Sequence, residues 1–311
     1  LVITGGAGLL AVNWGLSVRD RYSVILGLHN RDIHLGGIRS EMIDLESIDR
    51  LASYFDAIKP QLVVHTVALT SVEVCEDKPE LARHINVDLA DNVARACAKS
   101  GVPLIHISSD HLFSGQTSFV DETCPTEPKN VYARTKTEAE LRVLESHAES
   151  MVIRTNFYGW GPGYRRSFSD TIINALRTGN EVTLFQDVFY TPILIETAVQ
   201  AVHDLSDLGA HGIYHVVGDE RVSKHEFGMK IAEEFELDAS LIKSGLMADY
   251  PSLIQRPHDM SLSNKKTCAL LGRNLGNVGE HLAALHQQER SVQVQEIQGL
   301  QSHALHPTPL Q

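Results

Sequence analysis

The sequence is short of the features that mark several functional classes. It has only four cysteines, Cys75, Cys97, Cys124 and Cys268, and no two form a CxxC pair. Scattered thiols in a 311-residue chain argue against a disulfide framework and point to reduced cysteines in a cytoplasmic protein. Positive charge is scarce as well: 27 Lys and Arg face 39 Asp and Glu, for a net charge of −12. Binding along a nucleic-acid backbone needs clustered cations that release counterions, so no nucleic-acid partner is expected. A local basic pocket for one phosphorylated ligand stays open. Metal-ligand spacing is also lacking. His211 and His215 come nearest, but they bracket a turn entering a strand, and no metal site is read there. The uncharged stretch Leu1–Val18 is long enough to raise a membrane span. Thr4-Gly5-Gly6-Ala7-Gly8 interrupts it, and the basic start of a signal peptide is missing, so no membrane or targeting segment is read. Because the chain starts on strand-like residues without Met, a few residues are expected to precede it.

What is present is an alternation of short apolar β-rich runs with helical patterns, the signature of βαβ units on a parallel sheet. Strands are expected at Leu1–Thr4, Ser23–Leu28, Glu41–Ile43, Leu62–Thr66, Leu104–Ser108 and Met151–Arg154. Helices are expected at Pro79–Lys99, Val131–Ser146, Ser167–Thr178 and Val222–Phe235, the last with a capping box from Ser223 and Glu226. The predicted fold is α/β, a Rossmann-type doubly wound parallel sheet with a smaller C-terminal substrate-binding lobe. Residues 1–155 form the dinucleotide-binding domain, with 189–218 returning to it. Residues 156–188 and 219–285 form the smaller lobe. From 286 the composition turns to Gln, His and Pro, and 286–311 reads as a mobile tail.

The first turn carries a dinucleotide signal. In Thr4-Gly-Gly-Ala-Gly-Leu-Leu-Ala11, Gly5 permits a tight turn and Gly8 lets backbone approach a pyrophosphate. Leu9 and Leu10 then open a helix whose N-terminus favours phosphate. The second strand ends Leu28-His29-Asn30-Arg31, where an NAD-preferring site would place a carboxylate. The planar fork of Arg31 suits a 2′-phosphate, so NADP(H) is preferred, with NAD(H) as the alternative.

A second constellation follows the strand that ends Ile107-Ser108-Ser109-Asp110. Twenty-three residues beyond Ser109, Tyr132 and Lys136 stand four apart in a helical pattern and share one face. Ketone reduction needs a proton on oxygen, and a free phenol gives it poorly at neutral pH. A nearby ammonium is expected to lower the phenol's pKa, and a serine hydroxyl to hold the carbonyl oxygen.

These residues, with HTVALTSVEVCED at 65–77, Asn86-Val87-Asp88, NVYARTK at 130–136, Arg154-Thr155-Asn156, Thr191-Pro192 and GIYHVVG at 212–218, resemble the extended short-chain dehydrogenase/reductases. More narrowly, they resemble the dTDP-4-dehydrorhamnose reductase family, over roughly residues 1–272. The resemblance implies that Ser109, Tyr132 and Lys136 are catalytic. It further implies that Asp44 and Leu45 lie near the adenine, and that Ala68 and Thr70 line the nicotinamide side beside Lys136. Ser109, Asp110, His111, Arg154, Asn156 and Arg256 become substrate-side candidates, Arg256 for a diphosphate. His111 departs from the family's usual Tyr. The implied activity is NADP(H)-dependent reduction of a 4-keto-6-deoxy nucleotide sugar, with homodimerisation left open. The alternatives are a nucleotide-sugar epimerase or dehydratase, and a non-catalytic NADP-binding subunit resembling the β subunit of methionine adenosyltransferase.

Overall fold

A computed structural model describes residues 1–300 and the backbone of 303–304. Its centre is a seven-stranded parallel sheet built from β1 (Val2–Thr4), β2 (Ile25–Leu28), β3 (Arg39–Met42), β4 (Val63–His65), β5 (Leu104–Ile107), β6 (Met151–Arg154) and β7 (Gly212–His215). The strand order is β7-β6-β5-β4-β1-β2-β3. β1, β2, β4, β5 and β6 are buried along their whole length, which explains why they read as apolar runs rather than alternations. β3, at the edge, carries Arg, Ser and Glu.

Strand alternation sends side chains to two cores. Ile3, Leu26, Val64, Ile105 and Ile153 meet α1 (Leu9–Val18). Val2, Ile25, Val63, Leu104 and Val152 meet the opposite layer of α2 (Ile48–Ile58), α3 (Leu89–Ser100) and α4 (Val131–Ser146). The chain winds outward from β1 through β2 and β3, then crosses to β4 and winds the other way. This reversal opens a crevice between β1 and β4, at the carboxyl ends of the strands.

A third core is built by α5 (Phe168–Arg177), α7 (Lys224–Glu234) and α8 (Val278–Gln288), with the strand pair Val182–Phe185 and Ile242–Gly245. Between α5 and α7 in sequence, α6 (Ile195–Asp207) instead packs on α1 in the first core. The capping box expected at Ser223 and Glu226 forms, although Val222 and Ser223 pair as strand and the helix starts at Lys224. The helix expected over 79–99 contains a π turn at His84–Asp88.

The extension expected from 286 needs correction. α8 continues to Gln288, and α9 (Val292–Gly299) follows. Val294 enters the third core, while Ile297 and Leu300 enter the first. Three apolar residues spaced by three fasten this polar segment across both cores, and Glu296 accepts hydrogen bonds from Arg19 (2.7 Å) and the Gly36 N–H (2.6 Å). Residues 301–302 and 305–311 of the expected tail lie outside the described residues. Among the described residues, no helix is long and apolar enough to cross a membrane.

Candidate active site

Two adjoining cavities occupy the crevice. The larger, of about 300 Å³, is lined by Gly8, Leu9, Leu10, Ala68, Thr70, Ser109, Asp110, His111, Tyr132, Lys136 and Asn156, together with Thr66 and Arg165. The second, of about 260 Å³, is lined by Gly5, Gly8, Asn30, Arg31, Ala68, Thr66 and Arg165. The turn after β1 is shaped for close approach. Gly5 has φ +76°, and a Cβ there would sit 2.8 Å from Thr66 Oγ1. A Cβ on Gly8 would meet the Gly5 carbonyl at 3.0 Å, and Gly8 caps α1 without a side-chain bond. The first N–H groups of α1 therefore face the crevice unshielded, and the residues present fit a dinucleotide pyrophosphate. Arg31 lies 4.2 Å above the Tyr164 ring, and the Tyr164 hydroxyl donates to the Ala7 carbonyl at 2.9 Å. The stack holds the guanidinium beside the glycine turn with its edge available to a phosphate.

Tyr132 and Lys136 project from α4, whose start is set by the Asn130 side chain accepting from the Ala133 N–H at 2.9 Å. Ser109 Oγ accepts from the His111 N–H at 3.2 Å and lies 3.3 Å from Asp110 Oδ1. Asn156 donates to Asp110 Oδ2 at 2.5 Å. The His111 ring meets Tyr132 edge-on, with centroids 5.8 Å apart, and its Nδ1 is buried without a partner. Burial lowers the His111 pKa, with Lys224 and Arg256 adding to that and Asp110 opposing it. The imidazole is therefore neutral and able to donate or accept one hydrogen bond.

The expected lowering of the Tyr132 pKa is not found. Burial pushes the phenol up to about 12, with Asp110 and Cys75 adding to the rise and only the Ser109 hydroxyl opposing it. Lys136 Nζ is directed elsewhere, donating to the Ile107 carbonyl at 2.7 Å and lying 3.4 Å from His106 Nε2. Burial brings Lys136 itself down to about 8, against a rise from Glu140.

Four expected site residues line neither cavity. Arg154 is buried, with its guanidinium in a 2.7 Å ion pair with Glu140 and 3.3 Å from His215 Nε2, so its charge is already used inside the fold. Arg256 is paired with Glu73. The Asp44 carboxylate accepts from the Glu46 N–H and the Arg50 side chain, closing its own loop. Leu45 packs on the α2–α4 core, and its carbonyl accepts from Asn92 at 3.0 Å.

Sequence reasoning missed other groups. Thr66 and Arg165 line both cavities, and Arg165 donates to Thr70 Oγ1 at 3.0 Å. Asn86, in the π turn, accepts from the Leu69 N–H at 2.7 Å and donates to the Leu69 carbonyl and Thr135 Oγ1. It thereby ties the cavity-lining loop after β4 to α4. The run Asn86-Val87-Asp88 was visible as part of the family pattern, but a π turn has no signature at this length.

Comparison with known proteins agrees with this geometry. The chain is 28% identical over 287 residues to the probable low-salt glycan biosynthesis reductase Agl14 of Haloferax volcanii, covering 91% of this chain and 96% of that protein. It is 26% identical over 236 residues to the dTDP-4-dehydrorhamnose reductase of Escherichia coli, covering 72% and 78% respectively. The crystal structure of dTDP-4-dehydrorhamnose reductase from Bacillus anthracis in complex with NADP superposes with a TM-score of 0.81 at 23% identity, covering 92% of this chain and 98% of that one. The two share one fold, a Rossmann-type α/β arrangement around a seven-stranded parallel sheet in this chain. The RmlD substrate binding domain family matches residues 1–291, and this chain belongs to it.

Proposed function

We propose that the protein is an NADP(H)-dependent reductase of a 4-keto-6-deoxy nucleotide sugar. The observation that carries the reading is the convergence of Ser109, Tyr132 and Lys136 in one cavity that continues into the glycine-turn groove. Gly5, Gly8 and the α1 N-terminus would hold the cofactor pyrophosphate, Arg31 its 2′-phosphate, and Lys136 the nicotinamide ribose. When bound, NADPH supplies hydride to the keto carbon. The Tyr132 phenol gives its proton to the keto oxygen, while the Ser109 hydroxyl holds that oxygen as charge develops on it.

The raised phenol pKa suits this direction. At neutral pH the acid form is fully populated, and an alkoxide is a far stronger base than a phenolate, so the transfer runs downhill. Drawing a proton from an alcohol would require a buried phenolate, which desolvation disfavours. Asp110, oriented by Asn156, and the neutral His111 are placed to read sugar hydroxyls. In this reading, residues 156–188 and 219–285 close over the nucleotide sugar.

Purified protein mixed with NADPH and a panel of nucleotide 4-keto sugars, dTDP-4-dehydrorhamnose included, tests the reading through NADPH absorbance. Net oxidation of NADPH with one of these sugars is expected. Sugar conversion without net NADPH loss would replace the reading with an epimerase or dehydratase. Tight NADPH binding with no conversion of any sugar would replace it with a cofactor-binding subunit.

A further inference from the structure

The α2–α4 face of the sheet carries a row of polar side chains that the proposed chemistry does not use. Thr4, His65 and His106 are neighbours in strand register across β1, β4 and β5, near their carboxyl ends. All three are buried. Thr4 Oγ1 lies 2.7 Å from His65 Nδ1, and the two imidazoles stack with centroids 5.5 Å apart at an interplanar angle of 19°. His106 Nε2 lies 3.4 Å from Lys136 Nζ, which donates to the Ile107 carbonyl. His65 Nε2 and His106 Nδ1 have no hydrogen-bond partner.

Two stacked histidines are an expensive way to fill a sheet, since each leaves a buried polar atom unsatisfied. A buried ammonium has three donors to satisfy, and no salt bridge joins Lys136 to a carboxylate among the described residues. The nearest side-chain acceptor is His106 Nε2. We propose that His106 is a positioning residue for Lys136: its neutral imidazole accepts a hydrogen bond from the ammonium through Nε2. With the Ile107 carbonyl, it fixes where the charge stands relative to Tyr132, and His65, anchored on Thr4, holds the His106 ring in that plane.

The tautomer follows. An Nε2 that accepts from an ammonium carries a lone pair, so the ring proton of His106 sits on Nδ1. Burial keeps both rings neutral, bringing His65 down to about 3 and His106 well below its ordinary value, with Lys136 lowering both further. The ionisable groups facing Lys136 are Tyr132 and Glu140 on its own helix, His106 from β5 and His65 from β4. The proposal rests on the catalytic reading of Lys136, but it is tested on the lysine itself, without substrate.

In the full chain carrying side-chain-labelled lysine, with the Lys136 signal assigned by its loss in Lys136→Met, NMR follows the titration. The parent midpoint is expected near 8. His106→Leu removes the acceptor and should move the midpoint down by about one pH unit, the equivalent of one modest hydrogen bond. His106→Gln offers an amide oxygen near the Nε2 position and should restore at least half of that shift. An unmoved midpoint in His106→Leu, or no recovery in His106→Gln, overturns the proposal. A measurement on the unmutated protein guards against variants that fail to fold: ring-nitrogen shifts should report the Nδ1–H tautomer at His106, and an Nε2–H tautomer rules the acceptor role out. Loss of turnover in Lys136→Met tests the catalytic reading separately.

Discussion

Arg154 and Lys136 are both buried against the α2–α4 face of the sheet, under neighbouring turns of α4, and their surroundings differ in kind. Arg154 rises from β6 to meet a carboxylate from the helix, with Nε and Nη2 donating to Glu140 at 2.7–3.2 Å. Lys136 descends from the helix to meet β5, where a backbone carbonyl and a neutral imidazole receive it. One cation is neutralised where it stands. The other keeps its charge uncompensated, with a pKa brought down to about 8. A neutralised buried pair holds structure in place, whereas a desolvated lysine beside a cavity is poised to respond to what enters. The contrast separates two residues that look alike in the sequence, since both sit where a strand or helix delivers a cation toward the ligand end of a Rossmann sheet.

Substitutions on each side of this contrast should have different consequences. The largest effect is expected on the Lys136 side, where Tyr132→Phe removes the phenol hydroxyl proposed as the proton donor. Turnover should fall by about 10²–10⁴-fold, with NADPH affinity and melting temperature close to the parent's. Near-normal turnover would remove Tyr132 from the acid role.

On the Arg154 side the effect should be structural. Glu140→Gln strands the guanidinium and should cost about 3–5 kcal/mol in chemical denaturation. A loss below about 1 kcal/mol would mean that Arg154 finds another partner, and the contrast with Lys136 would lose its basis.

A smaller effect concerns pH. Lys136 is brought down from 10.5 to about 8 in the fold. Between those values the unfolded chain still binds a proton that the fold has released, so this group's contribution to stability rises with pH and is lost again as pH falls toward 8. Lys136→Met should therefore show its greatest stability advantage over the parent below about pH 8, with the gap closing toward pH 10.5. A gap constant across that window would show that Lys136 titrates as an ordinary lysine. Arg31→Ala should give the smallest change, weakening NADPH by about tenfold, the worth of one charge-assisted hydrogen bond, and leaving NADH unchanged. Equal weakening of both cofactors would place Arg31 away from the 2′-phosphate.

What the sequence made legible follows from which contacts are local. Gly5 and Gly8 sit in one turn, Tyr132 and Lys136 on one helix face, and Ser109 at a strand end. Each of these placements depends on a few neighbouring residues. Arg154 became a substrate-side candidate through the family resemblance, and the Glu140 that takes up its charge lies on another element. His65 and His106 gave no signal, since their stacking exists only through the register of β4 on β5. The phenol's pKa went the wrong way because spacing indicates that a lysine is near but not what that lysine is bonded to. α9 was missed because Val294, Ile297 and the Leu300 that follows it are diluted among Gln, Glu and Gly and serve two cores at once.

The central claim is that this site delivers hydride from NADPH to a keto carbon while Tyr132 supplies the proton. Turnover of dTDP-4-dehydrorhamnose with NADPH deuterated at the transferable nicotinamide position, read by mass spectrometry of the sugar product, tests it most directly. One deuterium on the former keto carbon is the predicted result, with the residual product of Tyr132→Phe equally labelled but formed about 10²–10⁴-fold more slowly. A product formed without deuterium, or formed as fast by Tyr132→Phe, would contradict it.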